Sequence, residues 1–115
     1  MKVPGVFRSA DVIREVPAGG VIFEVGSPGD EMYGVIEGEV QIRTPAGSLT
    51  IVGPDDTFGE MAVVDGSARS ATAVAVVDSK LAVINRKTFL YLVHETPMFA
   101  LQVMSSISDR LRARG

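Results

Sequence analysis

The sequence predicts a mainly β domain, an eight-stranded jelly-roll barrel with one short inserted helix and two C-terminal helices. Three observations predict it. Short apolar and β-branched runs recur between Gly- and Pro-rich turns at about ten-residue intervals, the rhythm of a sandwich or jelly roll. That rhythm stops after Ile84, where apolar residues take up helical spacing. The 115 residues are 46% hydrophobic and 22% charged, which suits one domain, 1–115, with a real core and little room for a second.

Residues 1–10 are short and mixed, with Pro4 and Gly5 near the start, and read as a loose arm or a single helical turn. The barrel occupies 11–84. Residues 12–16 are strand-like and stop at Pro17, Gly19 and Gly20. Residues 21–25 form a second strand, ended by Gly26, Pro28 and Gly29, and 32–36 form a third, ended by Glu37 and Gly38. Residues 39–43 alternate so that Val40 and Ile42 share a face. Pro45 and Gly47 turn the chain into 49–52, which Gly53 and Pro54 end. Residues 70–77 and 80–84 follow around a turn at Asp78 and Ser79. The glycines at 26, 29, 34 and 38 are assigned to the needs of β-turns.

Residues 85–114 are read as the two C-terminal helices. Asn85 can cap the first, and Phe89, Leu90, Leu92 and Val93 make it apolar. Thr96 as N-cap and Pro97 at the first helical position start the second. There Ala100, Val103, Met104, Ile107 and Leu111 form one stripe for packing on the barrel. Arg110, Arg112 and Arg114 read as a solvated helix end that suits the terminal dipole.

Composition excludes several functions. The formal net charge of −3 argues against a nucleic-acid-binding surface. There is no cysteine, so disulfides and thiolate metal sites are excluded. No apolar run approaches the roughly 20 residues of a membrane span, and the first residues lack the apolar segment of a signal peptide. A cytoplasmic location without membrane contact is expected. A metal enzyme built on a jelly roll needs a cluster of ligands. This chain has a single histidine, His94, at a helix end after the barrel. Nothing suggests a two-metal site for hydrolysis, so neither catalysis nor a cofactor is expected.

The stretch 58–72 carries the chemistry. A glycine stands beside a carboxylate, then come a short apolar run, a turn at Asp65 and Gly66, and one arginine followed by small residues. Residues 59–64 allow about one and a half helical turns, whose N-terminus offers free N–H groups to an anion. Gly59 lets a ligand approach the backbone closely. Arg69 supplies a charge and a planar donor fork that match phosphate oxygens. Glu60 would repel phosphate, so its expected partner is a ligand hydroxyl. A small anion that also carries a hydroxyl satisfies the whole set.

Phe58-Gly59-Glu60-Met61-Ala62, followed seven residues later by Arg69-Ser70-Ala71-Thr72, closely resembles the phosphate-binding cassette of the cyclic nucleotide-binding domain family. That family includes the catabolite activator protein, the regulatory subunits of cyclic-AMP-dependent kinase and cyclic-nucleotide-gated channels. Val16-Pro17-Ala18-Gly19, Gly26-Ser27-Pro28-Gly29-Asp30-Glu31-Met32-Tyr33 and Glu37-Gly38-Glu39-Val40 resemble its turn signatures, so the likeness runs from about residue 12 to residue 112.

The resemblance implies a non-enzymatic sensor for a 3′,5′-cyclic purine nucleotide, cyclic AMP or cyclic GMP, with a phosphate-binding helix and an output through the C-terminal helices. It implies ligand contacts from Gly59, Glu60, Met61, Ala62, Arg69, Ser70 and Ala71. Ile42 and Leu49, by their position in the family pattern, would wall the base. An effector domain or protein partner at the C-terminal helix is implied, and a monomer or weak homodimer. Two departures stand out. Ala68 replaces a proline that often precedes the arginine, and the chain given stops at Gly115, about where the family's last helix supplies a base lid and dimer contact. The alternative is a degenerate domain of the same fold that serves protein–protein contact without nucleotide; the intact Glu60 and Arg69 argue against it.

Overall fold

Residue alternation and turn chemistry place the strands close to where the sequence puts them. The structure, a computed structural model, describes residues 2–114, the side chains at 110 and 112–114 apart. The side chains of Arg110, Arg112 and Arg114, read above as a solvated helix end, therefore lie outside the described residues. The strands are β1 (Ile13–Val16), β2 (Val21–Phe23), β3 (Glu31–Glu37), β4 (Val40–Arg43), β5 (Leu49–Val52), β6 (Thr57–Phe58), β7 (Thr72–Ala75) and β8 (Ser79–Asn85). Helix α1 (Glu60–Val64) interrupts them, and α2 (Arg86–Glu95) and α3 (Met98–Arg114) follow.

The strands form two antiparallel sheets of four, in the orders β1-β8-β3-β6 and β2-β7-β4-β5. Among the described residues no ladder joins one sheet to the other, so the closed barrel expected from sequence is here a pair of packed sheets. The short outer strands explain this: β2 has three residues and β6 only two, too few to carry pairing round a corner.

Two apolar clusters sit on either side of the first sheet. Period-two alternation sends Tyr33, Val35 and Leu81 inward against Val40, Ile42, Val52 and Ala73 of the second sheet. The intervening Met32, Ala82 and Ile84 face outward, where they meet Phe7, Val63, Phe99 and Val103. Strand β3 is thus apolar on both faces, while on the second sheet Val21 and Ile51 face solvent.

The described residues before β1 are docked and not loose. Gly34 lies mid-strand in β3, and a Cβ there would come within 2.5 Å of the Phe7 ring. Its bare Cα is therefore the seat of that ring, and the turn assigned to this glycine is corrected to a close approach. Phe7 is 2% exposed and packs edge-on against Phe99, with ring centroids 5.9 Å apart. The side chain of Gln102 fastens the same junction, accepting from the Val3 N–H at 2.8 Å and donating to the Asp55 carbonyl at 2.6 Å.

The helices need two corrections. Asn85 caps α2 as its sequence suggests, accepting from the Thr88 N–H at 2.9 Å. Thr96, however, closes α2, donating its N–H to Leu92 O at 2.8 Å, and α3 starts at Met98. The expected stripe also splits. Val103 is buried, and Ala100 and Ile107 are half-buried, but Met104 and Leu111 are more than 60% exposed. Phe99 takes the inner position instead, completely buried.

Candidate ligand-binding site

The loop between α1 and β7 is held at its centre by backbone alone. The Arg69 N–H donates to Ser27 O at 2.9 Å, and the Gly26 N–H donates to Arg69 O at 2.7 Å. A nearby brace runs from the Val25 N–H to the Thr72 hydroxyl at 3.0 Å. These bonds fix the arginine backbone on the β2–β3 loop and turn its side chain into the molecule, where only 7% of the residue is exposed.

There the guanidinium helps to line a cavity of about 580 Å³, within the usual range for small-molecule sites. The floor is apolar, from Phe23, Ile42, Val52, Phe58 and Ala71; the cassette contributes Gly59, Met61, Ala62 and residues 67–70. The β4–β5 hairpin closes the far side with Thr44, Pro45, Ala46, Ser48 and Thr50.

The guanidinium carbon stands 4.1 Å from the centroid of the Phe23 ring, a cation–π contact. Nη1 donates to Gly59 O at a long 3.3 Å, and Nε is buried with no hydrogen-bond partner among the described residues. Burial draws the Arg69 pKa below its ordinary value, and nearby Tyr33, Glu31 and Asp30 offset part of this. The group stays cationic, since arginine titrates far above neutrality. A desolvated cation with spare donors on the wall of a pocket is built to receive an anion. Helix α1 adds little charge of its own, because five residues sum to a small dipole. Its cap, Gly59, has φ 77°, a left-handed conformation that glycine adopts freely.

The other residues read from sequence divide. Gly59, Met61, Ala62, Ser70, Ala71 and Ile42 line the cavity with Arg69. Glu60 is fully buried, and its neighbours on either side, Gly59 and Met61, line the cavity. Leu49 is 60% exposed and off the wall. Register explains this. Ile42 pairs with Thr50, so Thr50 shares its face while Leu49 and Ile51 point away. The period-two rule applied across the hairpin could have found Thr50. Phe23 and Gly29 were also missed. A Cβ at Gly29 would stand 2.5 Å from both Nε and Nη2 of Arg69, so this glycine makes room for the guanidinium.

Among the described residues, no group of three or more His, Cys, Asp or Glu could hold a metal, and no helix is long and apolar enough to cross a membrane.

Fold and site together define a two-sheet β domain with a pocket whose wall carries a buried arginine. Residues 13–96 match the cyclic nucleotide-binding domain family, and the chain belongs to it. It is 41% identical over 87 residues to a cyclic nucleotide-gated potassium channel of Mesorhizobium japonicum, covering 76% of this chain and 24% of the channel. It is 38% identical over 104 residues to the cyclic AMP receptor protein of Thermus thermophilus, covering 86% of this chain and 48% of that protein. The chain thus spans half or less of the length of these relatives. The crystal structure of the Thermus thermophilus catabolite activator protein superposes with a TM-score of 0.74 at 35% identity, covering 90% of this chain and 51% of that one. A solved structure from work on a cyclic-GMP-dependent signalling pathway in bacterial phytopathogenesis gives 0.78 at 34% identity, covering 93% of this chain and 89% of that one. The domain is of the kind found in catabolite activator proteins and kinase regulatory subunits.

Proposed function

We propose that the cavity binds a 3′,5′-cyclic purine nucleotide, cyclic AMP or cyclic GMP, and that the domain reports it without chemistry. The observation that carries this is the buried, under-partnered Arg69 guanidinium on the wall of a pocket of nucleotide size. A cyclic phosphodiester bears one negative charge, which one arginine neutralises. The Ser70 hydroxyl and the backbone N–H groups of Ser70 and Ala71 complete the phosphate site. Glu60, with the Gly59 backbone, takes the ribose 2′-hydroxyl. Ile42 and Thr50 flank the base. The relatives, a cyclic nucleotide-gated potassium channel and a cyclic AMP receptor protein, support this reading.

A route to the helices follows from α1. Ala62 lines the pocket, while Val63 packs with Phe99 and Val103 of α3. A ligand that shifts α1 therefore moves the base on which the C-terminal helices rest, where an effector would listen. A cytoplasmic location goes with this reading. We also read the two sheets as the halves of a jelly roll, supported by the interleaved orders β1-β8-β3-β6 and β2-β7-β4-β5.

Titration calorimetry with both nucleotides tests the proposal. Binding of either is expected, with most of the affinity lost in Arg69→Ala while the melting temperature holds. A folded chain that takes up neither nucleotide at millimolar concentration sinks it, and leaves a domain used for protein contact.

A further inference from the structure

We propose that Phe23 and Gly29 are positioning residues that hold the Arg69 guanidinium flat and immobile at the anion site. Its consequence for affinity rests on the nucleotide reading above. A long arginine side chain has about 2 kcal/mol of rotamer entropy to lose, so an unheld guanidinium would bind an anion weakly. Hydrogen bonds hold it only weakly here: Nη1 makes one long bond of 3.3 Å to Gly59 O, and Nε makes none among the described residues.

Contact with two flat surfaces holds it instead. The Phe23 ring lies 4.1 Å from the guanidinium carbon, and its negative face offsets part of the cost of burying the charge. Phe23 is itself kept in place by Tyr33 and Phe58, with ring centroids 6.1 and 5.9 Å away. At Gly29 a Cβ would sit 2.5 Å from Nε, 2.5 Å from Nη2 and 2.6 Å from the guanidinium carbon. Near-equal distances to three atoms of one plane place that Cβ over the guanidinium face. The bare backbone of Gly29 is thus the second surface. Gly29 has no left-handed φ, so the need for glycine here is one of space and not of backbone conformation.

This predicts an unusual variant. In Gly29→Ala the nearest atoms to the new methyl all belong to the end of the Arg69 side chain, which can swing away. The fold should survive while the guanidinium leaves its platform. Phe23→Leu removes the ring but keeps an apolar side chain, and Phe23→Tyr restores the ring.

The test uses the full chain, with side-chain NMR of the arginine Nε–H groups and calorimetry with cyclic AMP and cyclic GMP. In wild type the Arg69 Nε–H is expected to be ring-current shifted and slow to exchange. The shift should vanish in Phe23→Leu and Gly29→Ala and persist in Phe23→Tyr, with the Gly29→Ala midpoint within about 3 °C of wild type. Affinity should fall about tenfold in the first two variants and recover in the third. Wild-type affinity in Gly29→Ala and Phe23→Leu, or an Nε–H signal indifferent to them, overturns the proposal. If wild type binds neither nucleotide but the Nε–H signals behave as described, the platform stands and the nucleotide reading falls.

Discussion

Replacing Gly34 by alanine should expel Phe7 from its seat. The new methyl would stand 2.5 Å from Cζ and 2.6 Å from Cδ1 and Cδ2 of the Phe7 ring, distances that real contacts do not reach. The strand cannot yield, because Gly34 is paired with Thr57 on one side and Ala82 on the other. The ring must therefore move, from a place where it is 2% exposed and packed on Phe99. Truncating a buried phenylalanine costs about 3–5 kcal/mol. Alanine regains about 0.5–1 kcal/mol over glycine in a strand. The net loss should be about 2–4 kcal/mol, since a displaced ring keeps some contacts. Urea denaturation of wild type, Gly34→Ala, Phe7→Ala and the double variant measures this. In the Phe7→Ala background the alanine should be neutral or slightly stabilising, giving a coupling of about 2–4 kcal/mol. If Gly34→Ala costs the same with and without the Phe7 ring, the close approach is not what requires glycine there.

Two further outcomes are expected. Asn85→Ala should destabilise by about 1 kcal/mol through loss of the bond from the Thr88 N–H, read by chemical denaturation, and an unchanged midpoint would mean that water replaces the cap. Asp65 accepts from the hydroxyl and the backbone N–H of Ser67, which hold its carboxyl below the ordinary 3.8. Because the folded value is the lower one, the stabilisation is complete above the ordinary value and is lost as pH falls through the folded one. The stability gap between wild type and Asp65→Asn should therefore be open at neutral pH and shrink as the pH falls below the ordinary carboxylate value of 3.8, and a gap that ignores pH would count against the Ser67 bonds as its cause.

Much of this architecture is written locally, and what was missed is not. Val40 and Ile42 face inward because alternation is a property of four neighbouring residues, and Asn85 caps because its partner is three residues away. Leu49 was misplaced by a register that depends on the hairpin as a whole, in which Arg43 pairs with Leu49 and Ile42 with Thr50. Strand β6 is two residues long and owes its pairing to β3, with nothing in its own composition to announce it. Met104 and Leu111 continue the helical spacing of α3, yet spacing alone does not reveal where the partner surface ends. At the site, Arg69 stands out by residue type. Phe23 and Gly29 do not, since their role exists only once a distant loop folds over them. Glu60 was assigned to the pocket by its chemistry, and the structure buries it completely between two residues that line the cavity, Gly59 and Met61.

The two sheets are not equally armoured. The first is sandwiched between apolar layers, whereas the second, which carries Ile42 and Thr50, has one face open to water. Amides of β4 and β5 should therefore exchange with deuterium sooner than those of β3 and β8. The pocket lies against the half-clad wall, so an occupant there would shield the part of the domain with most protection still to gain. Slowed exchange in that hairpin would then be an early and legible mark of occupancy.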